Sequence, residues 1–459
     1  LPAGETNIAD FSASPVLDVP AEPAAPVAEV PVVETPEPAP VPVAPPRPAP
    51  VVVPPAPPAP PRPVRYSIDT AEGPVVIDLT TSHDDILAAH GAQMEAMLEQ
   101  ALRDDFRFAS FGGDWYPEDH VERFSKGDFR RVKDYLIETQ EALSDRAFLS
   151  DVLNRRENDP DYERLRFSLN YRMLREKKDF EFVGIPADRL WIVAGASPVS
   201  VPKRKPSELG QDYRFLEDAA AQALEPAVPQ DVKAWDHALT YYEYENGLLP
   251  YNNIARAILP APMMEEQRAV LLRIEVPSLF QNFPVELRYP TGNRGGYLVG
   301  FDAFFQENLV PGAAFTLEPT DQQNVLILRY ERTAAQEGSL LQYDERRSRF
   351  VYRPTTFYAG TNPDWVLNEK RFPKLDGLKR LDEADRKKTE NLVIKAFELV
   401  GEDLDGRTLA LVSDLLPVVN LERPFSEGAL RAVMEAGNHP YFEADPETPG
   451  AFFYDSSKK

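Results

Sequence analysis

One pattern recurs three times along the chain and restricts its possible folds more than any other feature of the sequence. A stretch with helical apolar spacing is followed by a short aromatic segment, a polar turn and a second aromatic segment. Apolar residues three and four positions apart predict an amphipathic helix, and two short aromatic runs around a polar turn predict a β-hairpin. The paired aromatic segments begin at Phe106 and Trp115, at Phe180 and Trp191, and at Tyr441 and Phe452. Each copy therefore predicts one helix followed by two strands.

The second and third copies agree further towards the amino terminus. A helical stretch containing Phe129 precedes the run Leu-Ser-Asp-Val-Leu at 149–153, and Ser144 stands before that run as a helix cap. The third copy has Val-Ser-Asp-Leu-Leu at 412–416 in the corresponding place, again after a helical stretch. Three helices followed by a two-stranded wing are the order of a winged-helix domain, so the pattern predicts two copies of that domain.

This order of helix, short Ser-Asp helix, helix, aromatic strand, wing and closing aromatic strand resembles the HARE-type helix-turn-helix module. The resemblance covers Asp128–Ala194 and Asp385–Asp455, and in part Ser82–Pro117. Proteins with that module include restriction-associated proteins, chromatin regulators and the delta subunit of bacterial RNA polymerase. The resemblance implies a function at or near nucleic acid, whereas a generic helix-and-hairpin packing unit would imply none.

Between the second and third copies the sequence changes to β character. Runs such as Leu271–Val276 and Val325–Tyr330 are separated by Pro, Gly and Asn turns, which is typical of strands. One helix is expected at Asp302–Glu307. The segment Tyr297–Gly312 resembles the core of the DNA-binding pseudobarrel of plant transcription factors and restriction effector domains, although Ala313 stands where that family usually has Asp. A small unrelated β-barrel is the alternative.

The amino-terminal end has a different composition from the rest of the chain. Residues 1–65 contain 21 of the 46 prolines, and most of the others are Ala, Val and Glu. Such a segment favours extended polyproline II structure and cannot bury enough apolar surface to fold. We expect a disordered spacer, with a proline-rich ligand for a partner's aromatic groove as the alternative.

The fold class predicted from these patterns is α+β and multidomain, with repeated winged-helix units flanking a small β-barrel-like domain. In chain order we expect a disordered Pro/Ala/Val-rich spacer at 1–65, a partial winged-helix-like unit at 72–119, a winged helix at 128–196, a basic linker at 197–211, a helical bridge at 212–269, a β-rich pseudobarrel-like domain at 270–358 and a C-terminal winged helix at 385–456.

The distribution of charge decides where nucleic acid could bind. The chain carries 50 Lys and Arg against 74 Asp and Glu, a net charge of −24, but the segment 128–194 is nearly neutral with 13 basic and 14 acidic residues. Its predicted third helix is basic, as approach to the major groove requires. The candidate DNA contacts are Arg164, Arg166, Arg172, Arg175, Lys177 and Lys178, with Lys203, Arg204 and Lys205 in the linker. The alternatives are a solvated face paired with neighbouring acids and an ordinary soluble linker.

The C-terminal unit has the opposite charge. Residues 385–459 contain 9 basic and 14 acidic residues, and the predicted third helix carries Glu427 and Glu435 beside Arg431. Such a surface repels phosphate. We therefore expect this unit to contact a protein, such as RNA polymerase, or to stabilise the chain.

Signals of catalysis, cofactors or membrane insertion are weak or missing from the sequence. The lack of cysteine excludes disulfides, thiol catalysis and Cys-ligated zinc. His83 and His90 could face one side of a helix and bind metal, but a solvated polar face is favoured. No phosphate-binding loop and no nucleophile elbow is present. We expect no enzyme, no cofactor, no membrane contact and a cytoplasmic, nucleoid-associated location, with a catalytic domain upstream left open.

These observations lead to two functional hypotheses. The first is a DNA-associated protein of transcription regulation, or of restriction- and defence-linked target recognition, which binds double-stranded DNA through the winged helix with the basic third helix. The second is an acidic adaptor that binds RNA polymerase or another nucleic-acid machine without contacting DNA itself.

Overall fold

The computed structural model describes residues 64–70, 73–196, 231–291, 295–435, 437 and 439–459. The predicted spacer up to residue 63, the basic linker 197–211 with Lys203, Arg204 and Lys205, and the first part of the predicted bridge lie outside these residues. Among the described residues, those within 67–75 and 81–459 belong to one compact unit, and those within 64–66 and 76–80 belong to a second. In the second unit Arg65 donates a hydrogen bond to Asp78 at 2.9 Å.

The first part of the chain is made of helices and short strands. Its elements are β1 (Arg65–Thr70), β2 (Gly73–Asp78), α1 (His83–Asp104), β3 (Phe108–Phe111), β4 (Asp114–Pro117), α2 (Lys126–Thr139), β5 (Leu143–Ser144), α3 (Asp145–Ala147, continued by a π-helix over Phe148–Val152), α4 (Tyr162–Arg175), β6 (Phe180–Phe182) and β7 (Leu190–Val193). β3 pairs with β4, and β5, β7 and β6 form a sheet in that order.

Local sequence accounts for several of these boundaries. Ser125 begins α2 with a reciprocal pair of hydrogen bonds to Asp128, which satisfies donors that the first helical turn leaves unpaired. Ser144 caps α3 by accepting a hydrogen bond from the amide of Ala147, in the capping role that its position predicts. Between β3 and β4, Gly112 and Gly113 have φ of +58° and +90°, values that a two-residue hairpin turn requires and that glycine adopts at low cost.

The β3–β4 hairpin shares one core with the segment that follows it. Phe111 packs edge-on against Phe182 and stacks near Trp191, with ring centroids 5.4 and 6.1 Å apart. Tyr116 packs against Phe167 of α4 at 4.4 Å. Residues 108–117 therefore fold onto the 126–193 segment, although the sequence patterns assigned the two to separate units.

The middle of the chain forms a seven-stranded sheet. Its elements are β8 (Trp235–Ala238), α5 (Tyr241–Asn246), β9 (Leu248–Pro250), α6 (Asn253–Ile258), β10 (Ala269–Val276), β11 (Gln281–Arg288), β12 (Tyr297–Val299), α7 (Asp302–Asn308), β13 (Ala314–Pro319) and β14 (Val325–Tyr330). The strand order is β8-β13-β14-β10-β11-β12-β9. β10 and β14 are parallel, and the other neighbouring pairs are antiparallel.

The expected phenylalanines lie in the core of this sheet, but the expected bridge is different. Phe301, Phe304 and Phe305 of the α7 region are buried in the cluster that the strands enclose. The prediction of a helical bridge is wrong over 231–269, because β8 and β9 are the two edge strands of the sheet and α5 and α6 are only six residues long.

A long hairpin and a second mixed segment complete the chain. Their elements are β15 (Arg332–Asp344), β16 (Arg349–Ala359), α8 (Glu383–Lys387), α9 (Thr389–Val400), β17 (Glu402–Leu404), β18 (Arg407–Leu411), α10 (Val412–Val419), α11 (Glu427–Glu435), β19 (Phe442–Ala444) and β20 (Ala451–Tyr454). β15 and β16 form a two-stranded sheet, and the last four strands form a sheet in the order β17-β18-β20-β19.

The two flanking segments have the same chain order and the same strand order. In the first, α2, β5, α3, α4, β6 and β7 follow one another, and the last strand lies between the other two. In the second, α9, β18, α10, α11, β19 and β20 repeat that order, with β20 in the middle position and β17 added at the edge. The chain is thus α+β, with two segments of matching topology on either side of the seven-stranded sheet.

A polar cluster joins the C-terminal segment to α5. Arg380 forms an ion pair with Glu245 of α5 and lies over the ring of Tyr343 at 4.1 Å. Glu422 is 7% exposed and accepts a hydrogen bond from the amide of Leu381 at 3.0 Å. Burial raises the pKa of Glu422 to about 7, because the loss of solvation outweighs the stabilising effect of that amide and of Arg380.

The raised pKa of Glu422 predicts a pH-dependent stability. A carboxyl group with a pKa of about 7 in the folded chain and about 4.5 when unfolded favours folding most below pH 4.5. Its ionisation then lowers the free energy of unfolding, by up to about 3 kcal/mol, as the pH rises through 7. We expect Glu422→Gln to raise the midpoint of urea denaturation at pH 8 but not at pH 4.5, while the exposed Glu402→Gln changes neither. Equal midpoints for wild type and Glu422→Gln at pH 8 would contradict this.

Candidate nucleic-acid interface

The helix that carries four of the nine predicted DNA contacts, α4, lies inside the core. Eight of its 14 residues are buried: Tyr162, Leu165, Phe167, Ser168, Leu169, Asn170, Tyr171 and Met173. A helix that is buried on most sides presents only a narrow strip to solvent. The position of each predicted contact on that strip therefore decides whether it can meet DNA.

Arg166 forms buried hydrogen bonds in the interior of the segment from α2 to β7. Its side chain is 11% exposed and donates a hydrogen bond at 2.8 Å to Asp145, which is 1% exposed. The same carboxylate oxygen accepts a hydrogen bond from Asn170 at 2.7 Å, and the amide oxygen of Asn170 accepts one from the indole of Trp191 at 2.7 Å. This chain of bonds joins α3, α4 and β7, so Arg166, which was predicted to contact DNA, is a structural residue whose guanidinium is engaged inside the protein.

Arg164 and Arg172 form ion pairs with carboxylates of a neighbouring segment. The segment 118–122, which follows β4, runs beside α4: Glu122 pairs with Arg164 at 3.1 Å and Glu118 pairs with Arg172 at 3.1 Å. Glu118 also accepts a hydrogen bond from the hydroxyl of Tyr171. Burial, together with this bond to a carboxylate, raises the pKa of Tyr171 to about 12. Acidic side chains of the chain itself therefore neutralise the face of α4 that the sequence analysis predicted to contact DNA.

The remaining three predicted contacts are exposed. Arg175 at the end of α4 lies over the ring of Tyr171 at 4.2 Å, and Lys177 and Lys178 follow in the turn that leads to β6. None of the three forms an ion pair with another described residue. A groove of about 550 Å³ opens beside them, with Trp115 and Met263 among its lining residues. Of the six contacts predicted in α4 and the turn after it, these three are the ones that a ligand could reach.

The third helix of the C-terminal segment, α11, offers no basic face. Arg431 pairs with Glu427 at 2.7 Å and lies 3.9 Å from Glu435, so the helix surface is acidic or neutralised. Gly428, Ala429, Leu430 and Met434 of the same helix are buried.

Sequence reasoning missed the arginines at the turn between β15 and β16. Arg346, Arg347 and Arg349 stand in or beside this turn, and the first two are exposed. The signal in the sequence was the short run Arg-Arg-Ser-Arg at 346–349. It lies outside the repeated pattern, which is why a search guided by that pattern passed over it.

Other sites among the described residues are few. A cavity of about 480 Å³ beside β8 is lined by Asp236, His237, Thr316 and Arg329 among others, and His237 forms a 2.8 Å hydrogen bond with the buried Glu243. No group of three His, Asp or Glu side chains in the described ranges could hold a metal ion, at His83 and His90 or elsewhere. Across the same ranges, no helix has both the length and the apolar character to span a bilayer.

Comparison of the chain with protein-family models, with curated proteins and with solved structures finds no match.

The structural role assigned to Arg166 can be tested by substitution. Arg166→Ala leaves the Asp145 carboxylate buried beside a single amide donor, and removal of one member of a buried pair costs about 3–5 kcal/mol. We expect a large fall in the free energy of unfolding for Arg166→Ala, measured by urea denaturation, and a change below about 0.5 kcal/mol for the exposed Lys178→Ala. Similar, small effects of both substitutions would show that Arg166 is not structural.

Proposed function

We propose that this chain is a DNA-associated protein of transcription regulation or of restriction- and defence-linked target recognition. The observation that supports the proposal best is the repeated order of helix, strand, helix, helix and hairpin in the segments α2 to β7 and α9 to β20. We interpret both as winged helices, a module in which the third helix and the wing approach DNA. The likeness of the central sheet's sequence to a DNA-binding pseudobarrel supports the same function.

Within the first unit, the proposed contact lies at the carboxyl end of α4 and in the turn after it. Arg175, Lys177 and Lys178 are exposed there, whereas the cations earlier in the helix are engaged by carboxylates of the chain itself. Three cations neutralise few phosphates. From these three cations alone we therefore expect weak binding with a shallow dependence on salt, and we expect further contacts elsewhere on the chain.

The second candidate is an acidic adaptor that binds RNA polymerase or another nucleic-acid machine through protein alone. The specific observation in its favour is the pairing of Arg164 with Glu122 and of Arg172 with Glu118, which leaves the middle of α4 neutral. The excess of acid in residues 385–459 points the same way. A negative field of this kind attracts basic partners and repels phosphate.

Fluorescence anisotropy with a labelled DNA duplex separates the two functions. If the chain binds DNA, the logarithm of the association constant falls linearly with the logarithm of salt between about 50 and about 200 mM. We expect Lys177→Gln/Lys178→Gln to lower the magnitude of that slope by about 2, because two phosphate contacts are lost.

A matched control removes the same charge from another place. Lys458→Gln/Lys459→Gln neutralises two lysines at the carboxyl end, where Lys458 takes part only in surface ion pairs with Glu443 and Asp455. The control should bind DNA like the wild type. No binding of the wild-type chain at low salt, together with recovery of RNA polymerase by the immobilised chain, would replace the DNA function by the adaptor.

A further inference from the structure

A positively charged surface of the described chain lies where the β15–β16 turn meets the loop before α8. We define the hairpin-tip surface as Arg346, Arg347, Arg349, Lys374 and Lys379. Residues 344–353 carry four arginines against two acids, and residues 374–379 carry two lysines against one acid, so the two stretches have a net charge of +3. The positive charge of these two stretches contrasts with the net charge of −24 of the whole chain.

Backbone hydrogen bonds bring the two stretches together. The amide of Phe350 donates to the carbonyl of Leu378 at 2.8 Å, and the amide of Gly377 donates to the carbonyl of Phe350 at 2.9 Å. Asp344 and Arg349 are the closing pair of the β15–β16 ladder, directly before Phe350. The arginines of the turn therefore lie next to the loop that carries Lys374 and Lys379.

Two backbone hydrogen bonds stabilise the turn that presents the arginines. The amide of Arg347 donates to the carbonyl of Asp344 at 3.1 Å, and the amide of Ser348 donates to the carbonyl of Glu345 at 3.3 Å. Ser348 has φ of +49°, a value that the tight turn imposes on a residue other than glycine. An ordered turn reduces the conformational entropy that binding must overcome.

The guanidinium groups of Arg346 and Arg347 form no ion pair with a carboxylate in the described ranges. Of the two acids beside them in the chain, Asp344 pairs with Arg353 at 3.1 Å and accepts a hydrogen bond from the backbone amide of Arg347, and Glu345 is exposed. Lys374 donates only to a carbonyl, that of Glu398 at 3.4 Å. In contrast to Arg164 and Arg172 on α4, these side chains can give their charge to a ligand.

The chemistry of the surface suits phosphate better than a protein. Protein interfaces are centred on buried aromatic or aliphatic anchors, but the large exposed apolar side chains of the described chain lie outside 344–353 and 374–379. Guanidinium groups form paired hydrogen bonds with phosphate oxygens, and arginine is favoured where such anions are bound. An arginine-rich and apolar-poor surface is typical of contact with a nucleic-acid backbone.

We propose that the hairpin-tip surface binds the phosphate backbone of duplex DNA and is the chain's principal electrostatic contact with it. This inference rests on the proposed DNA function and names a contact surface for it that lies far along the chain from α4. The surface reads no base sequence, since arginines that meet phosphates fix position and add affinity without distinguishing bases.

The test compares Arg346→Gln/Arg347→Gln with the wild type and with Lys458→Gln/Lys459→Gln in the full chain. Labelled duplex DNA is titrated at several salt concentrations, and circular dichroism and thermal unfolding verify that each variant is folded. We expect the slope of the logarithm of affinity against the logarithm of salt to fall in magnitude by about 2, and affinity at low salt to fall at least about tenfold, for the hairpin-tip variant alone.

The outcomes separate the inference from the function on which it rests. Wild-type binding with an unchanged slope in Arg346→Gln/Arg347→Gln overturns the hairpin-tip assignment and leaves the DNA function standing. No wild-type binding at low salt overturns both. A labelled polyglutamate peptide is the second probe: if the hairpin-tip substitutions abolish its binding but not that of DNA, the surface takes an acidic protein segment and the inference is wrong.

Discussion

The arrangement of the segment from α2 to β7 depends on the buried ion pair between Arg166 and Asp145. This arrangement in turn decides which cations of α4 face solvent. Through Asn170 the Asp145 carboxylate is linked to the indole of Trp191, so α3, α4 and β7 are tied by hydrogen bonds that the dry core makes costly to break. Together with the eight buried residues of α4, that link holds the helix in one orientation in the structure. Arg164 and Arg172 then face Glu122 and Glu118, and only the end of the helix remains open to solvent.

Which cations of this protein are exposed and unpaired therefore depends on the ion pairs that form when the chain folds. Counting residues along α4 suggested a basic helix, yet three of its four arginines are paired with carboxylates 21 to 54 positions away. At the β15–β16 turn the opposite holds, because Arg346 and Arg347 are exposed and form no ion pair with a carboxylate of the described residues. Net charge describes the long-range field, and only exposed, unpaired cations can neutralise phosphate.

Several elements follow from local patterns in the sequence. The helices α2, α4 and α9 have apolar residues at helical spacing, and Ser144 caps α3 as its position predicts. Helix α7 and its buried phenylalanines were also expected. β8 and β9 were not, because strands of four and three residues carry too little alternation to be recognised. They are strands only because β13 and β12 provide hydrogen-bond partners distant in sequence.

The sequence by itself determined the local order of helices and hairpins and the α+β class. Periodicity and capping act over a few residues, which a sequence displays directly. Only the tertiary structure decided that residues 108–122 pack along α4, that Arg166 is internal, and that the arginines at 346–349 join Lys374 and Lys379 on one surface. These features depend on pairing and burial between distant segments, and burial decides whether a charge meets solvent or a carboxylate of the chain.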